Sequence, residues 1–171
     1  MTAETMKCLV FDKSSQDWDK SRGFLRRERS TPVLDEKADP ADADNVLVKV
    51  IYAGFCGSDR GIWNRTAFKG MIFDSLKRER STTRIIGHEM VGELVEVGDR
   101  AARDHGYRPK DVVSTESHII CNSCYQCHIG QTHICANDII IGIAQDGCFA
   151  EYIKLPAQTL WPTDQRRIGL K

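Results

Sequence analysis

The stretch CNSCYQCHIGQTHIC, Cys121 to Cys135, places four cysteines within fifteen residues at spacings of two, two and seven. Two intervening residues let neighbouring thiolates wrap one side of an ion, and a fourth thiolate after a short loop closes the shell. A tetrahedral zinc at about 2.3 Å from each sulfur suits this set and leaves no open position, which marks a structural site. An iron–sulfur cluster fits less well, because no Pro follows the fourth Cys and neither common ferredoxin spacing is present. A zinc knuckle would use a histidine ligand, so His128 and His133 are read as loop residues beside a complete four-thiolate shell.

The rest of the chain supports reduced thiols. Seven cysteines cannot all pair, and Cys8, Cys56 and Cys148 lie far from the cluster. The opening MTAETMKCLVFDK has an apolar run too short for a secretory segment, and no window approaches the roughly 20 apolar residues of a membrane span. A cytoplasmic protein is expected, and there a tight cysteine cluster points to metal rather than disulfides. Lys and Arg number 24 against 24 Asp and Glu, so no global field favours nucleic acid or an anionic membrane.

The pattern along 171 residues is mainly β. Lys7–Phe11, Asn45–Gly54, Glu89–Gly98, Asp111–Thr115, Ile139–Ala144 and Phe149–Pro156 read as short strands separated by turn signals, which predicts a partly open barrel or sandwich. A helical turn is expected only after Ser58. Lys13–Ala43 reads as a polar linker with at most a short strand near Thr31–Leu34. The basic stretch Arg65–Arg84 reads as a solvated loop. Cys8 and Cys148 are expected to pack in strands, and His105 and His118 to sit in loops or at strand edges.

A second set of donors is weaker by spacing. GFCGSD (Gly54–Asp59) and GHEMVGE (Gly87–Glu93) bring Cys56 and the His88–Glu89 pair, both flanked by glycines. Together they form the mixed S/N/O set of an open catalytic zinc site, although each alone has an ordinary structural reading.

GFCGSD, GHEMVGELVEVG, the four-cysteine stretch and GCFAEYIKLPAQTLWP, in that order, resemble the zinc-dependent medium-chain alcohol dehydrogenases, with threonine, sorbitol and glucose dehydrogenases nearest in character. The resemblance runs from about Lys7 to Pro162. It implies a GroES-like β-barrel catalytic domain over residues 1–162, with a structural zinc lobe at about 118–138 and a tail at 163–171. Residue by residue, it implies Cys56, His88 and Glu89 as catalytic zinc ligands, and Ser58 as the start of a proton relay. Asp59 becomes the carboxylate that orients His88. Cys121, Cys124, Cys127 and Cys135 become the structural zinc ligands, and Glu151 lies near the site without ligating.

The implied chemistry is oxidation of an alcohol, polyol, sugar or amino alcohol. Zinc polarises the hydroxyl, Ser58 takes the proton, and hydride passes to NAD or NADP. The chain has no Gly-x-Gly-x-x-Gly, and QRRIGLK at its end does not resemble the family. The family's Rossmann domain, and one further zinc ligand, are therefore expected to be absent, and the chain alone is expected to be inactive. The alternative is a zinc-stabilised binding module without catalysis. The expected partner is a small-molecule alcohol, with homo-oligomerisation left open and neither nucleic acid nor membrane involved.

Overall fold

A computed structural model of the chain describes residues 4–163; the tail expected over 163–171 lies, from residue 164 onward, outside the described residues. The elements in chain order are β1 (Thr5–Asp12), β2 (Leu25–Ser30), β3 (Asn45–Gly54), α1 (Gly57–Trp63), α2 (Lys69–Arg78), β4 (Thr83–Ile85), β5 (Glu89–Val97), α3 (Asp99–His105), β6 (Val112–Thr115), β7 (His118–Ile119), α4 (Tyr125–His128), β8 (Ile139–Ile140), β9 (Tyr152–Pro156) and β10 (Leu160–Pro162).

Two main sheets carry the fold. The larger has the order β10-β6-β5-β3-β9, the smaller β2-β1-β4, and a third pair, β7-β8, sits at the base of the cysteine lobe. The main sheets do not close on themselves, so the domain is a partly open, mainly β structure. Its central ladder is β3 against β5, from Val46 opposite Val97 to Gly54 opposite Glu89. The alternation of Val46, Val48 and Val50 drives this placement: Val46 and Val48 are fully buried against Leu94, Val113, Ile153 and Leu155.

The stretch Arg65–Arg84, expected as a solvated loop, instead contains α2 and β4. Ile72 and Leu76, one turn apart on α2, are fully buried beside Phe11, Trp18, Ile62 and Ile86. Its last arginine is also buried: Arg84 pairs with Glu79 at 2.7 Å and Asp146 at 3.0 Å and donates to Ser75 Oγ at 2.9 Å. The dense charges of KRERSTTR mask this apolar stripe. Arg65 lies over the Phe11 ring (4.9 Å) and the Trp18 ring (5.3 Å), a cation–π arrangement whose burial pulls its pKa down.

Lys13–Ala43 is likewise more ordered than its composition implies. Its strand is β2, which ends where a strand was expected to begin, and it pairs along β1 from Thr5–Ser30 to Val10–Leu25. Trp18 is buried and donates its indole N–H to the Arg65 carbonyl at 3.1 Å. Helix is also not confined to the segment after Ser58, since α3 follows Gly98 and ends at Gly106 in the left-handed region. Cys8 and Cys148 are both buried, Cys8 in β1 as expected, whereas Cys148 lies in the loop before β9 and not in a strand.

Candidate metal centres

The lobe is short of apolar support. From Cys121 to Asp138 only Cys135 is buried, while Tyr125, Ile129 and Ile134 are exposed. Nevertheless the four sulfurs converge: Cys124 to Cys127 is 3.5 Å, Cys121 to Cys135 3.5 Å, and Cys124 to Cys135 3.9 Å. None is disulfide-bonded. A tetrahedron with 2.3 Å arms has edges of about 3.8 Å, so a zinc ion fits the cage with hardly any rearrangement.

The thiols are electrostatically uneven. Hydrogen bonds from the Ser123 side chain and amide hold Cys121 down to about 5. The Cys127 amide, followed by that of Ala136, lowers Cys124. Loss of solvent, then crowding by Cys124 and Cys135, pushes Cys127 up to about 12. Four thiolates at this separation need a cation between them.

The second centre is assembled from distant segments. Gly54 ends β3, Cys56 caps α1, and Ser58 and Asp59 lie in its first turn; His88 sits in the link between β4 and β5. Cys56 Sγ lies 2.7 Å from Ser58 Oγ and 3.1 Å from His88 Nε2, and Ser58 Oγ lies 3.2 Å from the same nitrogen.

Behind them Asp59 is fully buried. Its Oδ2 accepts the Cys56 amide at 3.0 Å, and its Oδ1 faces His88 Nδ1 at 3.7 Å. Those last two atoms have no hydrogen-bond partner. Asp59 thus approaches the imidazole on the side opposite the thiol, which suits an orienting carboxylate.

One ligand atom from each of Cys56, Asp59 and His88 lies within 4.8 Å of the others. Zinc would set the S···N edge near 3.6 Å, so an ion entering here must spread the Cys56–His88 pair. The donor set fits zinc; the spacing is tighter than the lobe's. Glu89 is not brought into this group: its side chain is exposed and lies against Gly54, where a β-carbon would meet Oε2. Glu151 points elsewhere, accepting the Lys7 amide at 2.7 Å.

Aromatic residues beside Cys56 are a feature that the motif reading missed. Phe55 stacks on Phe149 at 6.2 Å, and Trp63 meets Phe24 edge-on at 5.3 Å. Phe55, Arg60, Trp63 and Asn64 line a surface hollow of about 500 Å3. The signal was present in GFCGSDRGIWN, whose exposed Phe and Trp flank the ligand segment.

Residues 42–165 match the alcohol dehydrogenase GroES-like domain. The chain belongs to this family. It is 40% identical over 124 residues to the L-threonine 3-dehydrogenase of Caldanaerobacter subterraneus subsp. tengcongensis, covering 71% of this chain and 32% of that protein. It is 42% identical over 118 residues to the L-threonine 3-dehydrogenase of Pyrococcus abyssi, covering 68% and 30%. Among solved structures, a short chain alcohol dehydrogenase from E. coli CFT073 complexed with NADH superposes with a TM-score of 0.71 at 27% identity, over 96% of this chain and 40% of that one. A putative zinc-binding dehydrogenase from Sinorhizobium meliloti 1021 bound to NADP gives 0.71 at 26%, over the same shares. The chain therefore spans about a third of the length of the curated relatives it matches. No helix among the described residues is long and apolar enough to cross a membrane.

Proposed function

We propose that this chain is the alcohol-binding half of a zinc-dependent NAD(P) oxidoreductase, with residues 1–162 as its catalytic domain and a secondary or amino alcohol as its substrate. The observation that carries this reading is the convergence of Cys56 Sγ, Ser58 Oγ and His88 Nε2 within 2.7–3.2 Å, backed by buried Asp59. Cys56 and His88 would hold a zinc ion, which when bound would supply Lewis-acid polarisation of a substrate hydroxyl. Ser58 Oγ, in contact with both donors, would take the proton that the hydroxyl gives up while releasing its own to solvent. Asp59, whose Oδ1 faces Nδ1 at 3.7 Å, would orient the imidazole from behind and leave Nε2 toward the thiol. Glu89 would join Cys56 and His88 only by turning away from Gly54. Cys121, Cys124, Cys127 and Cys135 hold a second, structural zinc.

Arg60 supports an amino-acid-like alcohol. It lines the aromatic hollow and has no acidic partner among the described residues, so its guanidinium is free to take a carboxylate. The names of the threonine dehydrogenase relatives point the same way. Hydride transfer needs the nicotinamide carbon held about 3–3.5 Å from the substrate carbon. We therefore infer that the 171-residue chain alone does not turn over alcohol.

Cobalt substitution tests the site directly. The open centre should give a thiolate-to-cobalt absorption that Cys56→Ala abolishes, Cys124→Ser leaves in place, and threonine perturbs. An absorption indifferent to Cys56 overturns the reading. Steady reduction of NAD or NADP by the pure chain, lost in Cys56→Ala, overturns the claim of inactivity.

A further inference from the structure

The loop from Gly142 to Phe149 lies directly against the backbone around His88. Three successive amides donate to three successive carbonyls: Gly147 to Ile85 at 2.8 Å, Cys148 to Gly87 at 2.9 Å and Phe149 to Ile86 at 2.8 Å. Asp146 Oδ1 also accepts the Ile85 amide at 2.9 Å. The buried Cys148 thiol donates to the Glu89 carbonyl at 3.4 Å. Cys148 thus holds the carbonyls on both sides of His88, one through its amide and one through its sulfur.

Glycine makes the approach close enough. A β-carbon at Gly142 or at Gly147 would collide with the Gly87 backbone. Gly87 has φ of +93°, and a β-carbon there would run into the Phe149 ring, which stacks in turn on Phe55 beside Cys56. Three glycines therefore meet at the residue before His88, at a place where any side chain would push the loop away.

We propose that Cys148, together with Gly87, Gly142 and Gly147, is the positioning device of His88: the loop fixes the Gly87–His88 and Glu89–Met90 peptides, before and after the His88–Glu89 pair, so that Nε2 is held toward Cys56. This rests on the open metal centre proposed above. Neither Cys148 nor a glycine touches the metal, so all act through His88. Groups that orient a ligand typically govern metal affinity by about 10- to 100-fold.

The test uses Cys148→Ala, Cys148→Ser and Gly142→Ala in the full chain. Three readouts are needed: cobalt affinity at the Cys56-dependent band, zinc retained by the four-cysteine lobe, and amide hydrogen exchange over residues 85–90. Cys148→Ala should weaken cobalt binding about 10-fold, and Cys148→Ser, which keeps a donor, should restore most of it. Gly142→Ala should weaken binding further and speed exchange at 85–90, with the lobe still holding one zinc. Unchanged affinity and exchange in Cys148→Ala and Gly142→Ala overturn the proposal. So does faster exchange spread evenly over β1, β3 and β5, which would mean general destabilisation. If the parent chain shows no Cys56-dependent band, the metal reading fails, and the exchange readout alone decides whether the loop holds His88.

Discussion

The two candidate metal centres of this chain differ in what holds their residues in place. The lobe draws all four donors from fifteen consecutive residues, yet has only one buried side chain, Cys135, between Cys121 and Asp138. The open centre draws Cys56 and His88 from segments 32 residues apart, but its support is the barrel itself: fully buried Asp59, the β3–β5 ladder and the 142–149 loop. The lobe's order is therefore expected to depend on an ion, and the open centre's order on the core.

The largest effect should come from opening the lobe. Cys124→Ser breaks a shell with no spare ligand, and a structural zinc contributes on the order of 10 kcal/mol to folding, so a loss of several kcal/mol is expected locally. Limited proteolysis should cut between Cys121 and Cys135 first, and metal analysis should show one zinc lost. The β3–β5 signals should persist in amide exchange. If the barrel melts together with the lobe, the separation drawn here is wrong.

A core substitution should do the reverse. Leu76 is fully buried on α2 against Phe11, Ile72 and Ile86. Leu76→Ala should cost about 2–5 kcal/mol of global stability. It should lower the melting temperature of the barrel and weaken cobalt binding at Cys56, while the lobe keeps its zinc until the barrel unfolds. Zinc lost from the lobe well below the barrel's melting temperature would contradict this.

The same contrast explains what was legible in the sequence. The lobe was readable because its ligands are local: spacing alone names Cys121, Cys124, Cys127 and Cys135, and the structure brings their sulfurs together. Strand β3 was readable because Val46, Val48 and Val50 alternate, and the strand runs from Asn45 to Gly54 as expected. Spacing left Cys56 and His88 weak, because only folding brings them to 3.1 Å; the ordered motifs of the family carried that reading. Helix α2 was missed because only Ile72 and Leu76 of its four apolar residues form the buried stripe, and the charged run from Lys77 to Arg80 follows at once. Buried Arg84 was hidden because its partners, Glu79 and Asp146, include one 62 residues away. Ile139–Ala144 reads as a strand, but only Ile139–Ile140 is one; Gly142, at positive φ, turns the chain toward Gly87.

Graded chelation should separate the two ions at lower energetic cost. The open centre has fewer ligands and an S···N distance that must widen, so it should empty first. Its loss should lower stability by only about 1–2 kcal/mol, as for a ligand present at tens of times its Kd. Colorimetric zinc release should be biphasic, and Cys56→Ala should remove the early phase alone. Simultaneous release of two equivalents would erase the distinction between the sites.

The smallest effect concerns acid, which should break the lobe before the barrel. Zinc in the lobe requires thiolates, so falling pH competes directly with the metal. The barrel is tied by Asp42, a buried carboxylate that accepts Lys154 Nζ at 2.7 Å, the Asp35 amide at 2.8 Å and Asn45 Nδ2 at 3.0 Å. Burial alone would raise its pKa, but the hydrogen bonds, Lys154 foremost, outweigh burial and hold the carboxyl below its usual value. A depressed folded pKa means that the stabilisation is fully present above the unfolded value, near 3.9, and is lost as pH falls through the lower folded value. Asp42→Asn should therefore cost about 1–2 kcal/mol at neutral pH. The gap between parent and variant should close only below about pH 4. Denaturant midpoints at pH 7, 5 and 3 measure this gap. A gap that widens toward pH 3 would reverse the sign assigned to Asp42, and lobe zinc outlasting the barrel in acid would overturn the order of the two regions.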